Sequence, residues 1–411
     1  MTDSLPDSSD GSEGKPRRRL GLGSWILVGM IGGSVLGAFV GPEITVVQPL
    51  GDLFIRLLVL AAVPLVFVNL LAGLTALEDV RSFGRVAAKI MSYYVSTDVL
   101  ALALGIAAMV VLRPGEGMQL TESFDPAAVG SVPSLPDVLL GMIPTNAVQA
   151  FAEGNVVHVV VIAIMLGVAT LALPAEPRRR LGTAYADLAA LMRRLVDLIL
   201  WTAPIGIGAL MAVTVGLYGG ALLGPLTRFI LGVYLAQGIV FLGYMAVLKF
   251  AAGVSPLSFL SRTGKVWATT VSTTSSLASL TVSLECAERL RLPRSLYTFT
   301  LPLGAQLNKD GTSVMLGAVF MFTAQAAGVA FAPSAFLSIL LVGLLLSEGS
   351  GGIPGGGFVI ALIFVQAFNL PIEVAAIVGG IYRLVDMGNT TINVMGDLVG
   401  TSLITRFEAR T

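Results

Sequence analysis

The chain has 411 residues, of which 55% are hydrophobic and only 12% charged, about half the charged share of a soluble globule. Its 25 Lys and Arg balance 25 Asp and Glu, so no basic field points to nucleic acid. One cysteine, Cys286, and one histidine, His158, exclude an internal disulfide, a cysteine-clustered metal site and the two-histidine zinc motifs; what remains is an integral membrane protein.

Residues 1–19 are polar and close on Lys15, Arg17, Arg18 and Arg19, which predicts a disordered cytoplasmic tail with a basic anchor. The first apolar run comes late and is too long for a cleaved signal. Leu20–Val40, Leu57–Leu77, Ile90–Leu112, Val156–Leu173, Leu198–Leu217 and Phe229–Leu248 read as spans. They form a six-span N-terminal block over 20–250. Span three carries one acid, Asp98. His158, in span four, is expected to be satisfied by a backbone partner rather than to act.

Basic residues follow spans two, four and six: Arg81, Arg85 and Lys89; Arg178, Arg179 and Arg180; Lys249, Arg262 and Lys265. The loop 113–138 is acidic, and the loop after span five is uncharged. Positive charge thus falls on the side of the N-terminal arginines, which is the cytoplasm. Both termini lie there, with 406–411 as a short C-terminal tail. The membrane is the inner or plasma membrane, most simply of a prokaryote.

After residue 255 the apolar pieces shorten and are broken by Ser, Thr, Gly and Pro. VSTTSSLASLTVSL over 271–284 is too polar to face lipid, and the run ending at Leu346 stops at SEGSGGIPGGG before resuming at Phe358. Irregular backbone at membrane depth survives only inside protein or against a watery cavity. The segments 256–290 with 295–330, and 334–370 with 373–405, read as an inverted repeat of hairpin plus helix, the pattern that points to a transporter site. The most polar stretch is LPLGAQLNKDGTS over 301–313. A lysine or aspartate at mid-membrane costs about 2.5–3.5 kcal/mol on insertion scales, so this stretch is the floor of a polar site. Asp386, Asn389, Thr390, Asn393 and Asp397 recur at helical spacing, giving the last helix one polar stripe. That stripe faces a cavity or an interhelical hydrogen-bond network.

VSTTSSLASL, LPLGAQLNKDGTS, SEGSGGIPGGG and DMGNTTINVMGD, in that order, resemble the dicarboxylate/amino acid:cation symporter family, the glutamate-transporter homologues. The resemblance covers nearly everything after the N-terminal tail. It implies an all-α integral membrane protein with eight transmembrane helices, two re-entrant helical hairpins and inverted repeats. It also implies a homotrimer in the lipid bilayer whose transport core, 251–405 with span three (about 84–112), moves like an elevator against the rest of the six-span block. The implied activity is cation-coupled symport of an amino acid or a dicarboxylate, with no catalytic residue and no tightly bound cofactor. Sodium or a proton is the coupling ion.

By the same resemblance, Ser275, Ser276, Thr312, Gly352, Asp386, Asn389, Thr390 and Asn393 contact substrate, Asp386 pairing with an amino group. The hydroxyls and N–H groups at Ser275 and Ser276 suit a carboxylate; helix packing by small residues is the plainer reading. Tyr94, Thr97, Asp98, Gly304, Asn308, Asp310, Asn393, Asp397, Ser347 and Ser350 are the implied cation-site residues, and oxygen ligands suit a hard cation. The glycines around Pro354 imply a flexible lid.

Some positions depart from the family. Leu277 and Thr274 stand where a third serine and an arginine are often found. Asn389 stands where members for acidic substrates carry an arginine, and an amide lacks the charge to grip a side-chain carboxylate. A neutral or polar amino acid is therefore the expected substrate, with an acidic amino acid or C4-dicarboxylate as the alternative. Asp98, Lys309 and Glu348 replace a small hydroxyl residue, a methionine and an apolar residue. Three readings of them stand open: Lys309 as a tethered ammonium in a cation's place; Asp98 or Glu348 as a proton carrier; or a buried structural ion pair with ordinary sodium coupling. Arg383 either pairs with Asp386 on one helix face or faces the cytoplasmic vestibule. An intramembrane hydrolase using Ser275 and Lys309 and a channel are the rival classes.

Overall fold

The computed structural model describes residues 22–75, 80–118, 140–141, 143–350 and 355–409, and every regular element among them is helical. The predicted N-terminal tail, residues 410–411, most of the loop 113–138, and Gly352 with the centre of the glycine lid lie outside the described residues; the start of the expected C-terminal tail is instead helical, because the last helix runs on to Glu408. Three stretches, Ser24–Thr75, Gly84–Leu112 and Ala203–Ala252, are long and apolar enough to cross a membrane.

The N-terminal part runs α1 Leu22–Val40, α2 Gln48–Thr75, α3 Val80–Leu112, α4 Val156–Leu171, α5 Ala175–Leu200, α6 Ala203–Tyr218 and α7 Leu223–Ala246. The helix α1 lies against α6 through Gly29, Gly33 and Gly37, one per turn. A Cβ on any of the three would overlap the backbone of Pro204, Gly208 or Ala212. Such small-residue stripes let helix backbones meet where lipid offers no hydrophobic drive. The expected fifth span, Leu198–Leu217, is displaced. Leu198 ends α5, a 26-residue helix that begins with Arg178, Arg179 and Arg180 in its first turns, and the apolar helix starts at Ala203 with Pro204 in its first turn. Proline there lacks the N–H that would have continued α5. His158 has a backbone partner as expected: its Nε2 donates to Gly141 O at 2.7 Å.

The C-terminal part carries the two hairpins. The first is α8 Pro256–Thr273 and α9 Ser276–Arg289. The second is α12 Ala335–Ser347, a 3₁₀ turn Glu348–Ser350, and α13 Gly356–Ala367. Each is followed by a helix broken in two, where one continuous helix was expected. After the first hairpin come α10 Arg294–Leu307 and α11 Asp310–Ala326; after the second, α14 Ile372–Gly379 and α15 Tyr382–Glu408. The helix α11 is buried almost throughout. It packs tightly on α3, where Gly105 and Gly317 admit the opposing backbone, so span three sits with the hairpins.

Candidate functional site

The site is built on the break between α10 and α11. Asn308 is extended (φ −81°, ψ 117°) and Lys309 is not helical (φ −132°, ψ 28°). Breaking a helix strands N–H and C=O groups that must find partners. The side chain of Asn393, from α15, meets them: its Oδ1 accepts from Gly311 N at 2.7 Å and Thr312 N at 3.4 Å. Its Nδ2 donates to Thr312 Oγ1 at 3.1 Å. Asn308 Nδ2 in turn donates to Asn393 O and Asp397 Oδ1, both at 2.9 Å. Gly304 lets Asp397 and Tyr94 come this close, for a Cβ there would collide with both. Asp310 accepts from Tyr244 Oη through Oδ2.

Asp98 bridges three elements. Its Oδ1 accepts from Ser313 Oγ at 3.0 Å and its Oδ2 from Ser347 Oγ at 3.4 Å, tying α3 to α11 and to the end of α12. Tyr94 Oη donates to Thr300 O at 3.1 Å. Thr97 Oγ1 is engaged by its own helix, donating to Tyr93 O and Tyr94 O. Thus Tyr94, Asp98, Gly304, Asn308, Asp310, Asn393, Asp397 and Ser347 do converge. Asn308 Oδ1, Asp310 Oδ1 and both carboxylate oxygens of Glu348 are buried and meet no well-aligned donor, while the carboxyl groups of Asp310 and Glu348 both lie against that of Asp98. Buried polar atoms are normally paired, so these oxygens are the unsatisfied acceptors of the cluster.

Lys309 is 1% exposed. Its ammonium donates to Ala305 O at 2.9 Å. It lies within electrostatic reach of Asp397, Glu348 and Asp98, yet among the described residues none forms an ion pair with it within 4.0 Å. The expected contact pair with Asp98 or Glu348 is therefore absent: Asp98 is taken by two serine hydroxyls, and Lys309 by a carbonyl one turn back. Nor do Ser275 and Lys309 form a nucleophile–base couple, because Ser275 Oγ accepts from Ala278 N at 3.2 Å as the cap of α9.

The polar stripe of α15 is entirely buried and splits into two roles. Asn389, Asn393 and Asp397 belong to an interhelical network, Asn389 Oδ1 accepting from Gln237 Nε2 at 2.8 Å. Gln237 was not legible as a site residue; a lone amide in an apolar span is its only signal. Thr312 and Thr390 are buried alongside. Asp386 lines a cavity of about 280 Å³ with Ser272, Thr273, Gly355, Tyr382 and Arg383. Its Oδ1 accepts from Tyr382 Oη at 2.9 Å. Arg383 does not pair with Asp386. It turns to the first hairpin, donating to Thr274 Oγ1 and, at 3.0 Å, to Ser272 O. A guanidinium thus reaches this tip from α15 and not from the hairpin itself. Ser276 is buried in the first turn of α9, and Ser350 in the turn of the second hairpin.

The sequence that builds this core has a match among known proteins. Residues 22–407 match the Sodium:dicarboxylate symporter family. The chain belongs to that family. It is similar to a C4-dicarboxylate transport protein of Rhizobium leguminosarum, at 32% identity over 98% of this chain and 92% of the relative. A C4-dicarboxylate transport protein of Rhodospirillum rubrum is 29% identical over 93% of this chain and 87% of the relative. A proton/glutamate-aspartate symporter of Escherichia coli K12 is 27% identical over 93% of this chain and 92% of the relative. The symporter is a secondary active membrane transporter and not an enzyme.

Proposed function

We propose that this symporter carries a neutral or polar amino acid, driven by sodium or a proton. It uses eight spans and two re-entrant hairpins, as a trimer in the cell membrane with both termini cytoplasmic. The observation that carries the substrate reading is the pairing of Asp386 with Asn389. Asp386 places a buried carboxylate beside Thr274 and Gly355 of the two hairpin tips, where it suits an ammonium. One turn along α15, Asn389 is an uncharged amide held by Gln237, so a second, side-chain carboxylate of a substrate meets no cation there. Ser275, Ser276, Thr312, Gly352, Thr390 and Asn393 complete the substrate shell. The coupling cation sits among Tyr94, Thr97, Asp98, Gly304, Asn308, Asp310, Asn393, Asp397, Ser347 and Ser350, with the free oxygens of Asn308 and Asp310 as its core. The core, 251–405 with α3, slides as a unit against the rest of the six-span block, α1, α2 and α4–α7.

The second reading is an acidic amino acid or C4-dicarboxylate, as the names of the relatives suggest for them; Asn389 opposes both by offering a side-chain carboxylate no charge, and Asp386 opposes the dicarboxylate alone, because a buried carboxylate repels a dianion that brings no ammonium. Competition for uptake into proteoliposomes decides. Serine, alanine or glutamine is expected to compete, and aspartate and succinate weakly. Strong inhibition by aspartate or succinate with none by the neutral amino acids would overturn the amino-acid reading. Gradient-driven accumulation in the same vesicles separates a carrier from a channel.

A further inference from the structure

The guanidinium of Arg383 has no part in the cation cluster or in the network of α15. It lies at the rim of the cavity that Asp386 lines. Two of its nitrogens hold the tip of the first hairpin, while Nε is buried and has no hydrogen-bond partner. A guanidinium presents five donors in a planar fork, and an unpaired buried donor costs free energy until something accepts from it. The tip it holds is itself unusual. Thr274 is β-branched yet sits at φ 47°, in the left-handed region that such residues avoid. Directly after it, α9 begins, with its N-terminal N–H groups aimed at the same tip.

The groups around the cavity carry both signs. Arg383 and the start of α9 are positive; Asp386, three residues along the same helix, and Asp197, across the cavity on α5, are negative. A zwitterion matches this arrangement and a dianion does not. We infer that Arg383 is a substrate-binding residue of this symporter, its Nε edge taking the carboxylate of an amino acid whose ammonium rests on Asp386. The inference rests on the reading above that this cavity opens on the substrate site. Charge-assisted hydrogen bonds are about twice as strong as neutral ones, so Arg383 sets the preference for a charged carboxylate over its uncharged amide. The competing role is a structural one, in which Arg383 only staples the strained tip.

The test measures binding to the purified full chain by calorimetry, with two probe pairs: L-alanine against L-alaninamide, and succinate against succinamate. In the wild type, alanine is expected to bind at least tenfold more tightly than alaninamide. Arg383→Gln should weaken alanine by roughly ten- to hundredfold, the range for a hydrogen bond to a charged group, and leave alaninamide nearly unchanged, so the ratio collapses. Arg383→Lys should restore part of it. Equal weakening of both partners of a pair, with the ratio kept, would overturn the inference and leave the staple. Should Arg383→Gln fail to fold, Thr274→Gly removes the strain at the tip, and Thr274→Gly with Arg383→Gln is compared with Thr274→Gly alone by the same ratio. Binding of succinate but not alanine by the wild type defeats the amino-acid reading and the seat of an ammonium on Asp386; the second probe pair then still reports whether Arg383 takes a carboxylate, and a succinate-to-succinamate ratio kept in Arg383→Gln overturns that role too.

Discussion

The two hairpin tips are made of different materials. The first is held by side chains: Ser275 caps α9, Thr273 Oγ1 accepts from Ser275 N at 3.4 Å, and Arg383 grips Thr274 and Ser272. The second is made of glycine. Gly355, at φ 80°, begins α13 with no side-chain cap, and Gly349 fits against Val66 of α2 because it has no Cβ. Each tip also has a cation nearby. Arg383 touches the first through hydrogen bonds, whereas Glu348 of the second lies in the field of Lys309 without accepting from it. The difference teaches that side-chain hydrogen bonds fix the first tip, whereas Gly349 and Gly355, which flank the second, bring no side chain to do the same. A stapled tip must break several hydrogen bonds to move, while a glycine tip changes its dihedral angles at little cost.

Lys309→Met should break the comparison most severely. It removes the one ammonium among the buried carboxyl groups Asp98, Asp310, Glu348 and Asp397. Taking one partner from a buried charged set costs about 3–5 kcal/mol. We expect the variant to melt well below the wild type in sodium-free buffer and to regain stability as sodium is added, with uptake becoming sodium-dependent or more steeply so. An unchanged melting temperature and unchanged sodium response would exclude a resident-cation role for Lys309.

A smaller effect is expected at Gly355. A Cβ at φ 80° is strained and also crowds Leu200 at 3.3 Å, so Gly355→Ala should cost about 1–2 kcal/mol. It should slow uptake more than it weakens equilibrium binding, and comparing initial rates with calorimetric affinity checks this. The smallest effect belongs to the first tip. Ser275→Ala deletes a helix cap worth about 1 kcal/mol, and should lower substrate affinity severalfold while leaving transport measurable at saturating substrate. Complete loss of transport at saturation would mean that Ser275 does more than cap and bind.

The hairpins were legible because both tips interrupt strongly apolar runs. SEGSGGIPGGG cannot continue a helix, and VSTTSSLASL cannot face lipid. The polar cluster was legible in part from the chain, since an Asp, Lys or Asn in an apolar run is conspicuous, and in part only through the family resemblance, which drew in Tyr94, Thr97 and Gly304. The helix break at Asn308 and Lys309 was not. Neither residue breaks helices strongly by propensity, and the break persists because Asn393, 82 residues from Gly311, accepts from the stranded N–H of Gly311. The boundary at Ala203 was missed for another reason: α5 is amphipathic, and its apolar end merged in sequence with the run that follows.

From the sequence alone came the membrane environment, the two hairpins, the polar stripe of α15 and the family. These depend on composition and local pattern, which each segment carries by itself. The tertiary structure alone decided that Arg383 reaches the first hairpin instead of Asp386, that Asn389 is held by Gln237, and that Lys309 is left without a contact ion pair. Each of these is a choice of partner between residues far apart in the chain or on one helix face, and side-chain hydrogen bonds are short and directional. Only the packing of the helices determines which donor comes within reach of which acceptor.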